Sequence, residues 1–272
     1  VFKDRAVLGG LGFNDEGHAD SCMGIAAGDV NRDGLLDLFV TNFRDEANNF
    51  FLQRKGQLFD DVARQSRLRE FGFLYEGWGT QFIDGELDGW PDLVVSNGHL
   101  EITDPSCRMP TQYFANLGNS QFANLPAAGL GSYFQQVALG RSLALVDWNR
   151  DGKEDFLVTH VDSPTALLTN QTKQHGHFLA VQLRGVTSSR DAIGTTVRVT
   201  AGGQTWTRQL KAGDGFQASN QRQLIFGLGA ADQVESLTIS WPAGSDQTFE
   251  NLATDHEFLF IEGNSQVNKI PR

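Results

Sequence analysis

Cysteine is nearly absent from this chain: Cys22 and Cys107 are the only two in 272 residues. Two thiols cannot make the disulfide framework of a small secreted scaffold. With no CxxC pair or Cys/His cluster they offer no structural zinc site either. Both lie in loop-like sequence, so they either pair with each other or stay free. No stretch approaches the eighteen or so apolar residues needed to span a bilayer. No basic-then-apolar leader follows Val1, so the chain reads as a mature form or a piece of a longer protein. No segment carries a long helical period of apolar residues, which argues against helical architectures. A GxSxG elbow and a phosphate-binding P-loop are both missing. Positive charge is scarce, with 22 basic against 33 acidic side chains and a formal net charge of −11. Residues 1–174 hold 14 basic and 24 acidic residues, whereas residues 175–272 hold 8 and 9. An acidic segment of this kind repels nucleic acid. Its carboxylates are either a solvated surface or are grouped around cations.

What the chain does have is glycine (30 residues) and phenylalanine (20), set among short β-branched and aromatic runs broken by Gly, Asn and Asp. That pattern reads as all-β. Three stretches align: GIAAGDVNRDGLLDLFVTN, GTQFIDGELDGWPDLVVSN and SLALVDWNRDGKEDFLVTH. Phe2, Phe59 and Phe122 precede the first Asp of each acidic motif at similar distances. Each motif is followed by a second apolar run, and QLFDDVA and SQFANLP close the first two units. Four short strands in a unit of this length make a propeller blade, which needs neighbours to bury its faces. In this phase Val1-Phe2-Lys3 is an outermost strand whose own blade lies elsewhere. Three blades fall short of the roughly four to eight that close a ring. The expectation is about three blades over 1–172, belonging to a larger propeller whose missing blades come from upstream sequence or another chain. A small β-sandwich-like domain over 173–265 and a tail at 266–272 follow.

The repeated motif reads D-x-[N/E]-x-D-G-x-x-D. Its copies are Asp29, Asn31, Asp33, Gly34, Asp37; Asp84, Glu86, Asp88, Gly89, Asp92; and Asp147, Asn149, Asp151, Gly152, Asp155. Hard cations such as Ca²⁺ take six to eight oxygens. Alternate residues can aim oxygens into one tight loop, and glycine permits the sharp turn. The carbonyls of Leu35, Trp90 or Lys153 would add a ligand, and the last Asp would close the site. An EF-hand would need a Glu at the twelfth position, where Val40, Val95 and Val158 stand in strand-like runs. The alternative is three Asn/Asp/Gly turns with no ion. Against it, each loop would crowd like charges. Three Ca²⁺ ions, the number expected, would move the formal charge from −11 to −5.

These motifs resemble the FG-GAP or VCBS repeat of integrin α-subunit propellers over about residues 1–170. HGHFLAVQLRG, SSRDAIGTTVRV, RQLIFGLG, SWPAG and the closing IEG resemble the ASPIC/UnbV domain. Repeats followed by that domain resemble the cartilage acidic protein family and its bacterial relatives. Glu86 departs from the usual Asp or Asn. The resemblance implies a secreted, cell-surface or periplasmic location and calcium binding, and no established catalytic activity.

Read directly, residues 175–263 supply five or six strands, with TTVRVT, Gly202-Gly203 and TWTRQL as a hairpin. Arg190-Asp191 is a structural salt bridge or a ligand site. Asp214 and Asn220 lie in a polar loop that is solvated or holds a sugar. His175 and His177 are a linker pair or a metal pair without an evident third ligand, and His99 and His160 have no nucleophile beside them. The favoured function is a non-enzymatic, calcium-stabilised adhesion or scaffold module binding protein or glycan through propeller loops. A structural subunit of an extracytoplasmic assembly is the alternative, and a propeller-based hydrolase or lyase is the least favoured.

Overall fold

The computed structural model describes residues 2–102 and 104–272. The first blade is the meander β1 (Ile25–Gly28), β2 (Asp37–Val40), β3 (Asn49–Arg54), β4 (Leu58–Asp61), antiparallel throughout. Then come β5 (Gly77–Ile83), β6 (Asp92–Asn97), β7 (Met109–Pro110), β8 (Gln112–Asn116), β9 (Phe122–Asn124) and β10 (Val137–Ala138). The second blade is β5-β6-β8-β9, while β7 pairs with β10. The third is β11 (Gly140–Val146), β12 (Asp155–His160) and β13 (Ala166–Leu168). Each acidic motif joins the first two strands of its blade, as the repeat predicts.

The two faces of β6 show why these residues form blades. All six of its residues are buried. Leu93 and Val95 enter a cluster with Phe39, Phe50 and Phe82 of the first two blades. Val94 turns the other way, to Leu143, Phe156 and Val158 of the third. A strand covered on both faces loses the polar–apolar alternation and reads as a continuous apolar run, here LVV.

The rest of the chain adds β14 (His177–Arg184), β15 (Thr196–Ala201), β16 (Gln204–Gln209), β17 (Leu224–Gly229), β18 (Gln233–Ser240), β19 (Asp246–Ala253), β20 (His256–Ile261) and β21 (Asn268–Ile270). They form two sheets, β17-β14-β20-β21 and β16-β15-β18-β19, over one core that includes Leu179, Val199, Trp206, Phe226, Leu237 and Phe260. The pair β14/β20 is parallel, so the fourth sheet is not a meander.

These two sheets are not a separate domain. A Cβ on Gly152 of the third blade would strike the Phe178 ring of the fourth sheet. Lys211, just after β16, donates through Nζ to the Ala27 carbonyl of the first blade. The segment 211–223 runs along the inner strands of all three blades. Gly215 bridges Ile25, Asn220 Oδ1 accepts from Leu145 N–H (2.9 Å) while its Nδ2 donates to Gln81 Oε1 (2.8 Å), and Gln221 Oε1 accepts from Asp147 N–H (2.8 Å). Inter-sheet contacts thus run from the first blade through the fifth sheet and back to the first. The five sheets are arranged as a five-bladed propeller that occupies the chain.

Several expectations are corrected. The sheets close on one another without blades from elsewhere, so three blades of a larger ring plus a separate sandwich is not the architecture. Phe2 and Lys3 are not in a strand, and Val1 lies outside the described residues. The third blade has three strands, not four, because the chain after β13 turns toward β14 rather than back along the edge. The C-terminal part has eight strands instead of five or six. In the segment around Asp214 and Asn220, both side chains are half-buried and hydrogen-bonded to strand edges, while Gly213, Gln217 and Ser219 between them stay exposed. Cys22 and Cys107 are free thiols, the first exposed and the second buried. Arg190 and Asp191 are both exposed and make no ion pair among the described residues.

Candidate metal centres

The three acidic loops share one hydrogen-bond plan. In the first, Asp29 accepts from Asp33 N–H at Oδ1 (3.0 Å) and from Gly34 N–H at Oδ2 (2.9 Å). Asn31 Oδ1 accepts from the same Asp33 N–H (3.0 Å), and Asp33 Oδ1 accepts from Leu35 N–H (2.9 Å). The second repeats this with Asp84, Asp88, Gly89 and Trp90, at 3.1, 2.8 and 2.7 Å. The third does so with Asp147, Asn149, Asp151, Gly152 and Lys153. The closing aspartates tie each loop to the third strand of its blade or, in the third blade, to the chain just after it. Gln53 N–H donates to Asp37 (2.9 Å), Asn116 N–H to Asp92 (2.8 Å) and Asn170 N–H to Asp155 (2.6 Å). Among the described residues, no three His, Cys, Asp or Glu side chains are already gathered as a metal cage.

Glycine at the sixth position has positive φ in every copy: 81° at Gly34, 81° at Gly89 and 88° at Gly152. So do the fourth-position residues Arg32 (63°), Leu87 (58°) and Arg150 (59°), which the sequence reading missed. The motif shows no glycine or asparagine there to signal a left-handed residue. Two nearby left-handed residues turn the loop's amides inward toward its own carboxylates.

Burial makes five of these carboxylates poor anions. It pushes Asp29 up to about 6, against the amides of Gly34 and Asp33 and with help from the Asp33 charge. Asp37 rises to about 7 for the same reason, opposed by the Gln53 and Val30 amides. Asp84 is pushed to about 7 by burial, against the nearby Arg208 charge. Asp155 reaches about 6 by burial, despite the Asn170 amide. Asp92 lies well above the carboxylate range through burial and the Glu86 charge. Its partner Tyr113 donates O–H to it at 2.6 Å. Burial, then the Asp92 charge, keeps that phenol protonated.

Profile comparison matches residues 29–95 to the FG-GAP-like repeat and residues 185–267 to ASPIC and UnbV. The chain carries an FG-GAP-like repeat and an ASPIC/UnbV domain. It is also 24% identical over 229 residues to cartilage acidic protein 1 of Xenopus tropicalis, a distant homology covering 81% of this chain. It spans 34% of that relative's length.

The acidic loops of the FG-GAP-like blades abut the ASPIC/UnbV sheets through their fourth-position side chains. The Arg32 guanidinium donates to the carbonyls of Gly89 and Asp88 (3.0 Å each) and to Gln204 Oε1 (2.6 Å). It also lies 3.6 Å from the Trp90 ring centroid, a contact worth about 0.5–2 kcal/mol. Leu87 is fully buried with Phe178, Ala180 and Ile225. Arg150 reaches Glu257 at 2.8 Å.

The predicted histidine sites are dispersed. His177 Nδ1 sits 2.7 Å from Asp255, while His175 Nδ1 lies 2.9 Å from the Gly176 carbonyl. His160 lies between Tyr133 O–H (2.9 Å) and the Pro164 carbonyl. His99 Nδ1 accepts from Glu101 N–H (2.9 Å), and its Nε2 stands 3.7 Å from the buried Glu76.

Proposed function

We propose that this chain is a non-enzymatic, calcium-stabilised module of an extracellular, periplasmic or cell-surface protein. Its acidic loops hold Ca²⁺ and its outward loops engage a protein or glycan. The observation that carries this reading is the threefold recurrence of one loop plan that sets a buried aspartate at each end of every loop. The donor set is hard oxygen throughout: Asp29, Asn31, Asp33 and Asp37 in the first loop, with counterparts in the second and third. That set suits Ca²⁺, with Leu35, Trp90 or Lys153 contributing a carbonyl. When bound, the ion supplies charge compensation and cross-links the first two strands of a blade. Likeness to FG-GAP-like and ASPIC/UnbV proteins, distant as cartilage acidic protein 1 is, supports an adhesion-type role.

Binding to the folded loop alone stabilises by about 2.7 kcal/mol per site at a hundredfold excess over Kd. Millimolar CaCl₂ should therefore raise the melting temperature and EDTA should reverse the rise. Asp33→Ala should remove one site and lower the calcium-induced shift. Identical melting curves in calcium and EDTA, with no heat of binding on titration, would reject the proposal. Glycan arrays and pull-downs from extracellular fractions then separate sugar from protein partners.

A further inference from the structure

Resting on the cation-loop reading above, we propose that the third loop is unlike the other two: Arg272 and Lys153 serve as its resident counter-cations, and it takes up calcium only when Arg272 is displaced. Arg272 Nη1 donates to Asp147 Oδ2 at 2.9 Å. The same oxygen accepts Gly152 N–H at 3.1 Å. A carboxylate oxygen offers about two lone-pair sites, so Asp147 Oδ2 has none left for a metal. The matching oxygen of the first loop, Asp29 Oδ2, accepts only from Gly34 N–H among the described residues.

Arg272 is held in place from behind. Its Nε lies 3.4 Å from Glu257 Oε2, whose side chain is 0% exposed, and its Cζ sits 4.8 Å from the Phe178 ring centroid. Lys153 Nζ adds a second positive charge, 3.3 Å from Asp151 Oδ2. Among the described residues, no Lys or Arg side chain forms an ion pair with a carboxylate of the first or second loop. A divalent ion entering the third loop would meet a first aspartate with one oxygen already filled, and like charge beside it. Glu257 also accepts from Arg150 (2.8 Å), so release of Arg272 leaves that glutamate still paired.

The test is a CaCl₂ titration of the full chain by calorimetry, run on the native protein, Arg272→Gln and Arg272→Lys. Circular dichroism checks that each variant is folded. Terbium luminescence in an Asp33→Ala/Asp88→Ala background, which disables the first two loops, reports on the third through Trp148, which adjoins Asp147. The native protein should bind two ions, with the third loop weaker by about tenfold or more, the factor that 1.4 kcal/mol represents. Arg272→Gln should bring the third loop into range, while Arg272→Lys should retain most of the block. Three equivalent ions on the native protein, or a Trp148 signal unmoved by Arg272→Gln, would overturn the inference while leaving calcium binding intact. No uptake by any of the three proteins would instead sink the calcium reading on which it rests.

Discussion

Asp37 is a residue whose loss can be estimated without any ion. It is fully buried and receives the amides of Gln53 and Val30. Asp37→Ala leaves both amides without an acceptor, at about 1–3 kcal/mol each. Urea unfolding in EDTA should show a loss of that order, and Asp37→Asn should lose about half. Glu262 carries a pH signature. Burial opposes its ionisation, but the amides of Ser188, Val186 and Thr187 and the Ser188 hydroxyl outweigh that and hold the carboxyl below its ordinary range. A carboxylate lowered on folding stabilises fully above its unfolded value of about 4.3, and the gain is lost as pH falls through the folded value. Glu262→Gln should therefore melt lower than the native protein at pH 7, with the gap closing in acid. A gap independent of pH would contradict the assignment. The two thiols give a simpler check: Cys22 should react with a thiol reagent in the native state, and Cys107 only after unfolding.

At the scale of elements, one motif position has three different neighbourhoods. A Cβ on Gly89 would overlap Trp206 Nε1 and approach the Gly227 carbonyl to 2.8 Å, whereas on Gly34 it would meet only Thr207 Oγ1 at 3.8 Å. Both have positive φ, so each Ala substitution carries a conformational penalty of about 1–2 kcal/mol. Gly89→Ala should add to that about 1–3 kcal/mol of overpacking. Chemical denaturation of the pair measures the difference, and equal losses would mean the second loop does not press on the fifth sheet. The blades were legible because turn chemistry and apolar runs recur in phase. The strand β19 was not: its buried Phe249 and Leu252 stand three apart, with Asn251 at a φ of 56° between them, so no alternation appears. The segment 211–223 hid for a different reason. Its polar residues match a solvated loop equally well, and only the three-dimensional approach of β1, β5 and β11 uses their hydrogen bonds. The acidic ligand candidates were read from the chain, whereas the left-handed Arg32, Leu87 and Arg150 and the Arg272 contact were not, the last because it joins positions 125 residues apart.

For the whole molecule, the five sheets should melt together. The contacts of segment 211–223 and the burial of Leu87 against Phe178 couple the FG-GAP-like blades to the ASPIC/UnbV sheets. Calorimetry should show a single transition, and two separate peaks would mean that the two parts are only loosely joined. The same segment sets a schedule for biosynthesis. Asp214 accepts from the Ala27 amide across 187 positions of chain. Pairings this distant close late and slowly. As the polypeptide leaves the ribosome at about 5–20 residues per second, its first sheet must wait many seconds for the segment that finishes its inner edge. During that interval the edge is open to other chains, so a nascent chain of this kind gains from a chaperone, or from export before it folds.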